Sequence, residues 1–141
     1  MANVIDVAEY ILSKTKAIST WKLQKLVYYS QAWHCVWEDK ALFKAKIEAW
    51  TNGPVCRRLY ERHQGIFTIA TIDGDVSRLR QNEKESIDAV LKTYDKFNGQ
   101  QLSDLIHNEG PWKEARKGLG PGDRGENEIT LESMNRYYSS L

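Results

Sequence analysis

The stretch that decides the fold runs from Thr20 to Trp33 and reads Thr-Trp-Lys-Leu-Gln-Lys-Leu-Val-Tyr-Tyr-Ser-Gln-Ala-Trp. Ser19 or Thr20 can cap a helix at this point, and the apolar and aromatic side chains continue to Trp37 around nearly the whole circumference. A helix that is apolar on all sides is usually the buried centre of a small domain. The sequence therefore predicts a mainly α-helical domain built around this helix.

A second informative stretch begins at Lys46, where apolar or β-branched residues alternate with polar ones as far as Thr51. The run Asn52-Gly53-Pro54 should end this strand, because proline cannot donate to a ladder. Pro54 also suits the first turn of a helix, which we predict over residues 55–64 with Gly65 as its left-handed cap. Residues 66–72 are predicted to form a second strand that pairs with the first, giving a small two- or three-stranded β element.

Helical spacing predicts further helices on both sides of this region. One covers residues 4–14 with Asn3 as its N-cap, and another starts at a capping box formed by Asn82 and Glu85 and stops at Asn98-Gly99. A short helix containing Leu102, Leu105 and Ile106 follows and is interrupted at Gly110-Pro111, after which residues 112–117 resume helical character.

The last part of the chain combines a glycine-rich segment with a final helix. Residues 118–126 contain four glycines and a proline, which predicts a mobile loop, because such a segment cannot form regular structure cheaply. Gly120 to Gly125 formally fits the glycine fingerprint of dinucleotide sites, but no strand precedes it and no helix opens on it, so we interpret the match as false. Thr130 can cap a final helix that presents Leu131, Met134, Tyr137 and Tyr138 to the body.

Length and charge limit the function classes. At 141 residues the chain is expected to form one domain, residues 1–141. Twenty basic residues nearly cancel nineteen acidic ones, so nucleic-acid binding is not expected. Without a long apolar run or a signal peptide, the sequence predicts a cytoplasmic protein that does not enter a membrane. Cys35 and Cys56 are interpreted as reduced core thiols.

The order and spacing of these motifs resemble the Panacea-domain, or SocA-like, antitoxins, which are often found in phages and prophages. The motif residues, expected to be structural, are Leu23, Gln24, Lys25, Leu26, Tyr28, Tyr29, Trp33, Trp50, Gly53, Pro54, Val55, His107 and Trp112. The resemblance also includes Phe43, Leu59-Tyr60, Ala115 to Gly118, Ile129 and Tyr137-Tyr138. It implies an antitoxin that neutralises a cognate protein toxin by direct contact, with delivery of the toxin to a Clp-type protease as a variant. It also implies that the 118–126 loop is a common family segment and that His107 tethers the structure near Trp112.

Two hypotheses from other functional classes stay open, a DNA-binding regulator and an enzyme. A DNA-binding regulator of phage or prophage origin would use Lys22 and Lys25 among their aromatic neighbours, although we interpret this pattern as a central helix with two solvated lysines. An enzyme would need His34, His63, His107 or a cysteine to converge in a pocket with an acidic partner, and the helical spacing of His34 with Cys35 and of Cys56 with His63 is poor for direct contact. We therefore expect no catalytic residue, no metal ligand and no cofactor.

The candidate partner-binding residues lie after Pro54. They are Arg57, Arg58, Tyr60 and Arg62, chosen because arginine and aromatic residues supply most hot-spot energy at protein interfaces. The alternative is that the arginines form only a solvated charged face. Five tryptophans in a chain of this size indicate that some indole rings lie between core and surface, whereas Trp33 and Trp50 are expected to pack the central helix against the strand.

Overall fold

The computed structural model describes residues 2–141 and is mainly α-helical, as the sequence predicts. The helices are α1 (Val4–Thr15), α2 (Thr20–Glu38), α3 (Arg57–His63), α4 (Gln81–Tyr94), α5 (Gly99–His107), α6 (Gly110–Ala115) and α7 (Leu131–Tyr138). The strands are β1 (Ile18–Ser19), β2 (Ile47–Trp50), β3 (Gly53–Cys56) and β4 (Thr68–Ile69), and a short 3-10 helix covers Val76–Arg78.

Helix α2 is the centre of the fold. Twelve of its residues are buried, and it contacts α1, α4, α5, α7 and strand β3. The Ser19 hydroxyl caps it by accepting from the Lys22 N–H at 3.0 Å, and Asp39 ends it in the left-handed conformation with a φ of 55°. Each fully buried large apolar side chain contributes about 1.5–3 kcal/mol, so this helix carries much of the core.

Gln31 of α2 holds the segment that follows this helix through side-chain hydrogen bonds. Its amide oxygen accepts from the Leu42 N–H at 2.7 Å, and its amide nitrogen donates to the Phe43 carbonyl at 2.8 Å. Leu42 and Phe43 are fully buried. A single amide side chain thus satisfies the backbone of a loop that has no ladder of its own.

A tyrosine–glutamate cluster joins α2 to the C-terminal helices. The hydroxyls of Tyr29 and Tyr138 donate to Oε1 of Glu109 at 2.8 and 2.7 Å, and the Tyr28 and Tyr138 hydroxyls lie 3.0 Å apart. The Tyr29 ring stacks on Tyr94 of α4 at 3.9 Å between centroids. Removal from water raises the pKa of Glu109. This cluster is not predicted from the sequence, because its members are distant along the chain.

The strand pairing predicted from the sequence is wrong. Strand β2 pairs with β3 in an antiparallel hairpin, whereas β4 pairs with β1. Thr51 and Asn52 form a two-residue turn, and Gly53 begins the return strand with a φ of 130°. Such a tight turn folds the chain straight back, so the adjacent segment reaches β2 first.

Pro54 lies inside strand β3, opposite Ala49, and not in a helix as predicted. The Ala49 N–H points away from β3 and donates to the Asn127 carbonyl at 2.8 Å. Ala49 and Pro54 therefore form a non-hydrogen-bonded pair of the ladder. The absence of an N–H on proline costs this hairpin no hydrogen bond. Helix α3 begins only at Arg57, after the Cys56 N-cap, and Gly65 has the positive φ, 85°, expected beyond its end.

The remaining helix boundaries follow from their caps. Asn3 caps α1 in a capping box with Asp6, and Thr130 caps α7, as predicted. The box at α4 is formed by Glu83 and the Arg80 N–H rather than by Asn82 and Glu85, because the Asn82 amide donates to Glu38 instead. Asn98 starts α5 as its N-cap.

The expected role of Trp33 and Trp50 is also corrected. The Trp33 indole donates to the Tyr94 hydroxyl at 3.0 Å, and its ring lies 5.4 Å from both Trp37 and Tyr138. Trp50 instead contacts Tyr60 of α3. The two rings face different neighbours because the hairpin approaches α2 with β3 rather than with β2.

Candidate functional site

A pocket of about 490 Å³ opens between the start of α2, the β2–β3 hairpin, α3 and the glycine-rich loop. Its lining combines three large aromatic side chains, Trp21, Trp50 and Tyr60, with polar and charged residues. A volume of this size lies in the usual range of ligand sites, about 300–1,000 Å³. Its position places the pocket beside the segment that the sequence analysis proposed for partner binding.

Lys25 forms part of the pocket lining, although it is only 1% exposed. Its Nζ lies 4.9 Å from the centroid of the Trp21 ring. Burial lowers the pKa of Lys25 to about 7. The prediction that Lys22 and Lys25 are solvated is therefore wrong. A helix that is enclosed on nearly all sides leaves no solvent face for Lys25, and Lys22 is largely buried in an ion pair with Asp95 at 3.0 Å.

Gln24, the neighbour of Lys25, fixes the junction between β3 and α3. Its amide oxygen accepts from the Cys56 N–H at 2.9 Å, and its amide nitrogen donates to the Cys56 carbonyl at 3.2 Å. The same nitrogen lies 2.9 Å from Nε2 of His63 at the end of α3. One buried amide thereby holds both ends of α3 against α2 and sets the shape of the pocket wall.

Arg57 forms an ion-pair network at the rim. It donates two hydrogen bonds to Glu48 at 2.9 and 3.2 Å and pairs with Glu126 of the loop at 3.2 Å. Its guanidinium lies 5.4 Å from the Trp50 ring, which meets Tyr60 edge-on at 5.1 Å. Charge and aromatic packing thus hold strand β2, helix α3 and the loop together on this side.

The glycine-rich loop is hydrogen-bonded to the body of the domain through Arg116, and its mobility stays a prediction. Arg116 is 5% exposed and donates to the Ala49 carbonyl at 3.0 Å, to the Gly120 carbonyl at 3.1 Å and to the Asp123 carbonyl. A Cβ on Gly125 would lie 3.0 Å from Nη1 of Arg116, so this glycine permits the close packing. The loop contains no helix or strand. Two of its backbone carbonyls are instead satisfied by the guanidinium of one buried arginine.

The side chains of His107 and Trp112 pack together, and that of Trp112 contacts the β2–β3 hairpin. The two rings stack at 4.1 Å, and the Trp112 indole donates to the Trp50 carbonyl at 3.1 Å. Burial, and then repulsion by the charge of Lys25, lowers the pKa of His107. Some of the motif residues thus line the pocket or support its walls, whereas Tyr28, Tyr29 and Trp33 pack toward α4 and α7.

A family model described as "Antitoxin SocA-like, Panacea domain" matches residues 23–113, well over half of the chain. The chain belongs to this antitoxin family. No curated protein and no solved structure matches it. The matched range contains Lys25, Gln24, the hairpin and the His107–Trp112 pair, whereas α1, the glycine-rich loop and α7 lie outside it.

Exposed apolar side chains lie next to the pocket of this Panacea-domain protein. Phe67 is 81% exposed, and Ile66 and Trp21 are also exposed. The Thr20 N–H donates to the Phe67 carbonyl at 2.9 Å, and the Thr20 hydroxyl donates to the Ile66 carbonyl at 2.9 Å. The apolar patch, defined as Trp21, Ile66 and Phe67, is therefore anchored at the start of α2.

The four residues predicted to bind the partner do not form one face. Arg57 and Tyr60 line the pocket, whereas Arg62 donates to the Ile72 carbonyl at 3.0 Å. Arg58 is exposed. Their part in partner binding stays a prediction, and the structure brings only Arg57 and Tyr60 to the pocket.

The histidines and cysteines considered for chemistry occupy separate environments. His34 Nδ1 lies 2.8 Å from the Ser86 hydroxyl in the core, while His63 contacts Gln24. Burial raises the pKa of the Cys35 and Cys56 thiols. Within residues 2–141 no three His, Cys, Asp or Glu side chains are grouped to hold a metal ion, and no helix has the length and hydropathy to cross a bilayer.

Three features of the site were not predicted from the sequence. They are the buried position of Lys25, the hydrogen bonds of Arg116 to the loop and the apolar patch. The burial of Lys25 could have been predicted, because a charged residue between Leu23 and Leu26 lies on a helix that is apolar on all sides and has no solvent-exposed face. No such pattern predicts the hydrogen bonds of Arg116, because its three acceptors are backbone carbonyls, which every sequence supplies.

Proposed function

We propose that this Panacea-domain protein neutralises a protein toxin by direct contact, and that the contact surface is the apolar patch together with the pocket rim. The observation that carries the surface assignment is the exposure of Phe67 beside a pocket with aromatic side chains in its lining. Contiguous exposed apolar side chains mark interaction sites on soluble domains. Aromatic residues and arginine also supply a large share of binding energy at interfaces, and Arg57 and Tyr60 lie at this rim.

The proposal requires binding and no chemical step by the protein itself. Its cysteine thiols have raised pKa values, and His34 and His63 are hydrogen-bonded to buried side chains, so these groups support packing. In a variant of the proposal, the bound toxin is handed to a Clp-type protease. The half-life of the toxin in cells with and without that protease separates the variant from simple inhibition.

The test is co-expression with the product of the neighbouring gene. We expect growth to recover and the two proteins to co-purify. Phe67→Ser should weaken the complex by about tenfold or more while the melting temperature stays unchanged, because the side chain is mostly in water in the free protein.

Leu141→Ser is the matched control, since Leu141 is 73% exposed but lies at the C-terminal end of the chain. Persistent growth arrest despite soluble expression of both proteins would contradict the proposed function for that pair. Equal binding by Phe67→Ser and the control would remove the apolar patch from the interface.

A further inference from the structure

Lys25 has no counter-ion in the described chain. Its Nζ forms neither a salt bridge nor a hydrogen bond with any of residues 2–141. Withdrawing an ammonium group from water without a partner is costly, and the cation–π contact with Trp21 offsets only part of that cost. A group that completes this site would therefore be bound favourably.

The ammonium is directed at the pocket. Every fully enclosed side-chain nitrogen or oxygen of the described residues has a hydrogen-bond partner, so the unpartnered Nζ must reach the space that Lys25 lines. Gly53 makes that possible, since a Cβ at position 53 would lie 3.3 Å from Nζ and 3.2 Å from Cε. The hairpin glycine thus leaves the room that a ligand atom needs above the lysine.

The other charges around the pocket define the ligand. Arg57 is already paired with Glu48 and Glu126, which leaves one ammonium on the floor and Arg124 on the loop. The carboxylate of Glu126 on the same wall disfavours a multiply charged anion. The walls of Trp21, Trp50 and Tyr60 favour an apolar body behind the charged group. A singly charged carboxylate on an apolar stem fits these features.

We propose that the Lys25 pocket binds a carboxylate group presented by the protein partner, either an acidic side chain or the end of its chain. The source of the carboxylate rests on the proposed function; the site itself does not. The apolar patch beside the opening favours a protein as the carrier, because it offers a surface larger than a small molecule would use. The carboxylate would form a charge-assisted hydrogen bond in a site from which water is largely removed.

The first arm of the test uses the protein alone. 3-Phenylpropionate is the probe, and 3-phenylpropionamide is its neutral control of the same shape. We expect the probe to shift the Lys25 side-chain NMR signals saturably and to raise the pH at which Lys25 titrates, whereas the amide does neither. Lys25→Met should abolish the response of the Trp21 indole signal to the probe.

The second arm uses the complex with the neighbouring gene's product. Lys25→Met should weaken that complex by about tenfold or more, since the partner's carboxylate would be left buried without its cation. Lys22→Met is the matched control, because it removes the same charge from the same helix at an ammonium that is paired with Asp95 outside the pocket.

The outcomes separate cleanly. Equal responses to probe and amide would overturn the carboxylate site. Probe binding with an unaffected Lys25→Met complex would support the site and overturn the partner as its source, which leaves a free small carboxylate as the ligand. Failure of the wild-type proteins to associate would contradict the proposed function, and the first arm would still decide the site.

Discussion

At position 25 a lysine occupies a place where the surrounding helix is otherwise enclosed by apolar side chains. Its neighbour Gln24 is equally buried but fully satisfied, because an amide can both donate to and accept from the backbone of Cys56. An ammonium can only donate, and none of the acceptors in residues 2–141 forms a hydrogen bond or ion pair with Lys25 Nζ. The contrast between these two adjacent residues explains why one is structural and the other is available to a ligand.

This burial predicts a distinctive pH dependence of stability. The pKa of Lys25 is about 7 in the folded protein against an ordinary value of 10.5, so between these values the unfolded chain binds more protons. This site therefore makes the free energy of unfolding rise with pH over that window. Lys25→Met removes the effect, and we expect it to be more stable than the wild type below pH 7, by an amount on the order of a few kcal/mol, with the gain shrinking toward pH 10.5.

Thermal denaturation across this pH range measures the effect. His63 of α3 and His107 of α5 face the same region, and burial lowers both pKa values below the ordinary 6.5, with the charge of Lys25 lowering that of His107 further. Both imidazoles are therefore neutral across the window from pH 7 to 10.5, and the difference measured there belongs to Lys25. Lys22→Met serves as the control and should lose stability, because its ion pair with Asp95 is broken. A Lys25→Met protein that is less stable than the wild type at every pH would contradict the prediction.

At the scale of elements, the β2–β3 hairpin and the glycine-rich loop depend on each other. Strand β2 bonds to β3 on one side, and on the other its backbone meets residues 127–129 through Ala49 and Ile47. Arg116 adds a side-chain bond to the Ala49 carbonyl and holds the loop beside it. In this pocket wall, strand β2 lies between β3 and residues 127–129. The glycine-rich loop has little regular structure and is held in place by Arg116 and by the bonds of residues 127–129 to β2.

We expect Arg116→Ala to release this loop. The substitution removes bonds to three carbonyls and should cost roughly 2–4 kcal/mol of stability, since the arginine is buried and its acceptors lose their partner. Hydrogen exchange of residues 118–126 should rise in the variant. Arg124→Ala lies in the same loop but is exposed, so exchange and melting temperature should stay close to the wild type. Equal protection of the loop in both variants would show that Arg116 does not order it.

At the scale of the whole molecule, Glu109 connects the central helix to the end of the chain. It accepts from Tyr29 of α2 and Tyr138 of α7, and Tyr138 also meets Tyr28. Helix α7 lies beyond the range matched by the family model, yet it is packed against α2 and α6. The cluster therefore integrates the C-terminal helix with the family's core.

Glu109 gives a prediction at this scale. Its pKa is raised from 4.5 in the folded state by removal from water, so the folded protein retains the proton longer than the unfolded chain. Its contribution to stability is thus fully present below pH 4.5 and is lost as pH rises through the folded value. Glu109→Gln keeps an oxygen for the tyrosine hydroxyls without the titration. We expect its melting temperature to gain on the wild type as the pH rises above 4.5.

Glu114→Gln is the control for this prediction. Glu114 lies on α6 and is exposed, and it pairs only with Arg136 at the surface. Its difference from the wild type should be small, since exposed ion pairs contribute about 1 kcal/mol or less. A constant difference between Glu109→Gln and the wild type across the pH series would argue against a raised pKa at Glu109.

The mainly helical class, the enclosed central helix, most helix positions and the family could all be predicted from the amino-acid sequence. These features depend on local periodicity, caps and glycine or proline positions, all of which are written in neighbouring residues. The resemblance to Panacea antitoxins lies in the same stretches, and the family match covers them.

The strand pairing, the burial of Lys25 and the bonding of the loop by Arg116 became known from the three-dimensional packing of the chain. Pairing of β2 with β3 rather than with residues 66–72 followed from a two-residue turn, and burial of Lys25 followed from elements that close over α2 from distant parts of the chain. Hydrogen bonds such as those of Arg116 go to backbone carbonyls, which carry no residue identity. The site is assembled from long-range contacts, so its geometry depends on how the whole chain packs. Local sequence patterns therefore do not reveal it.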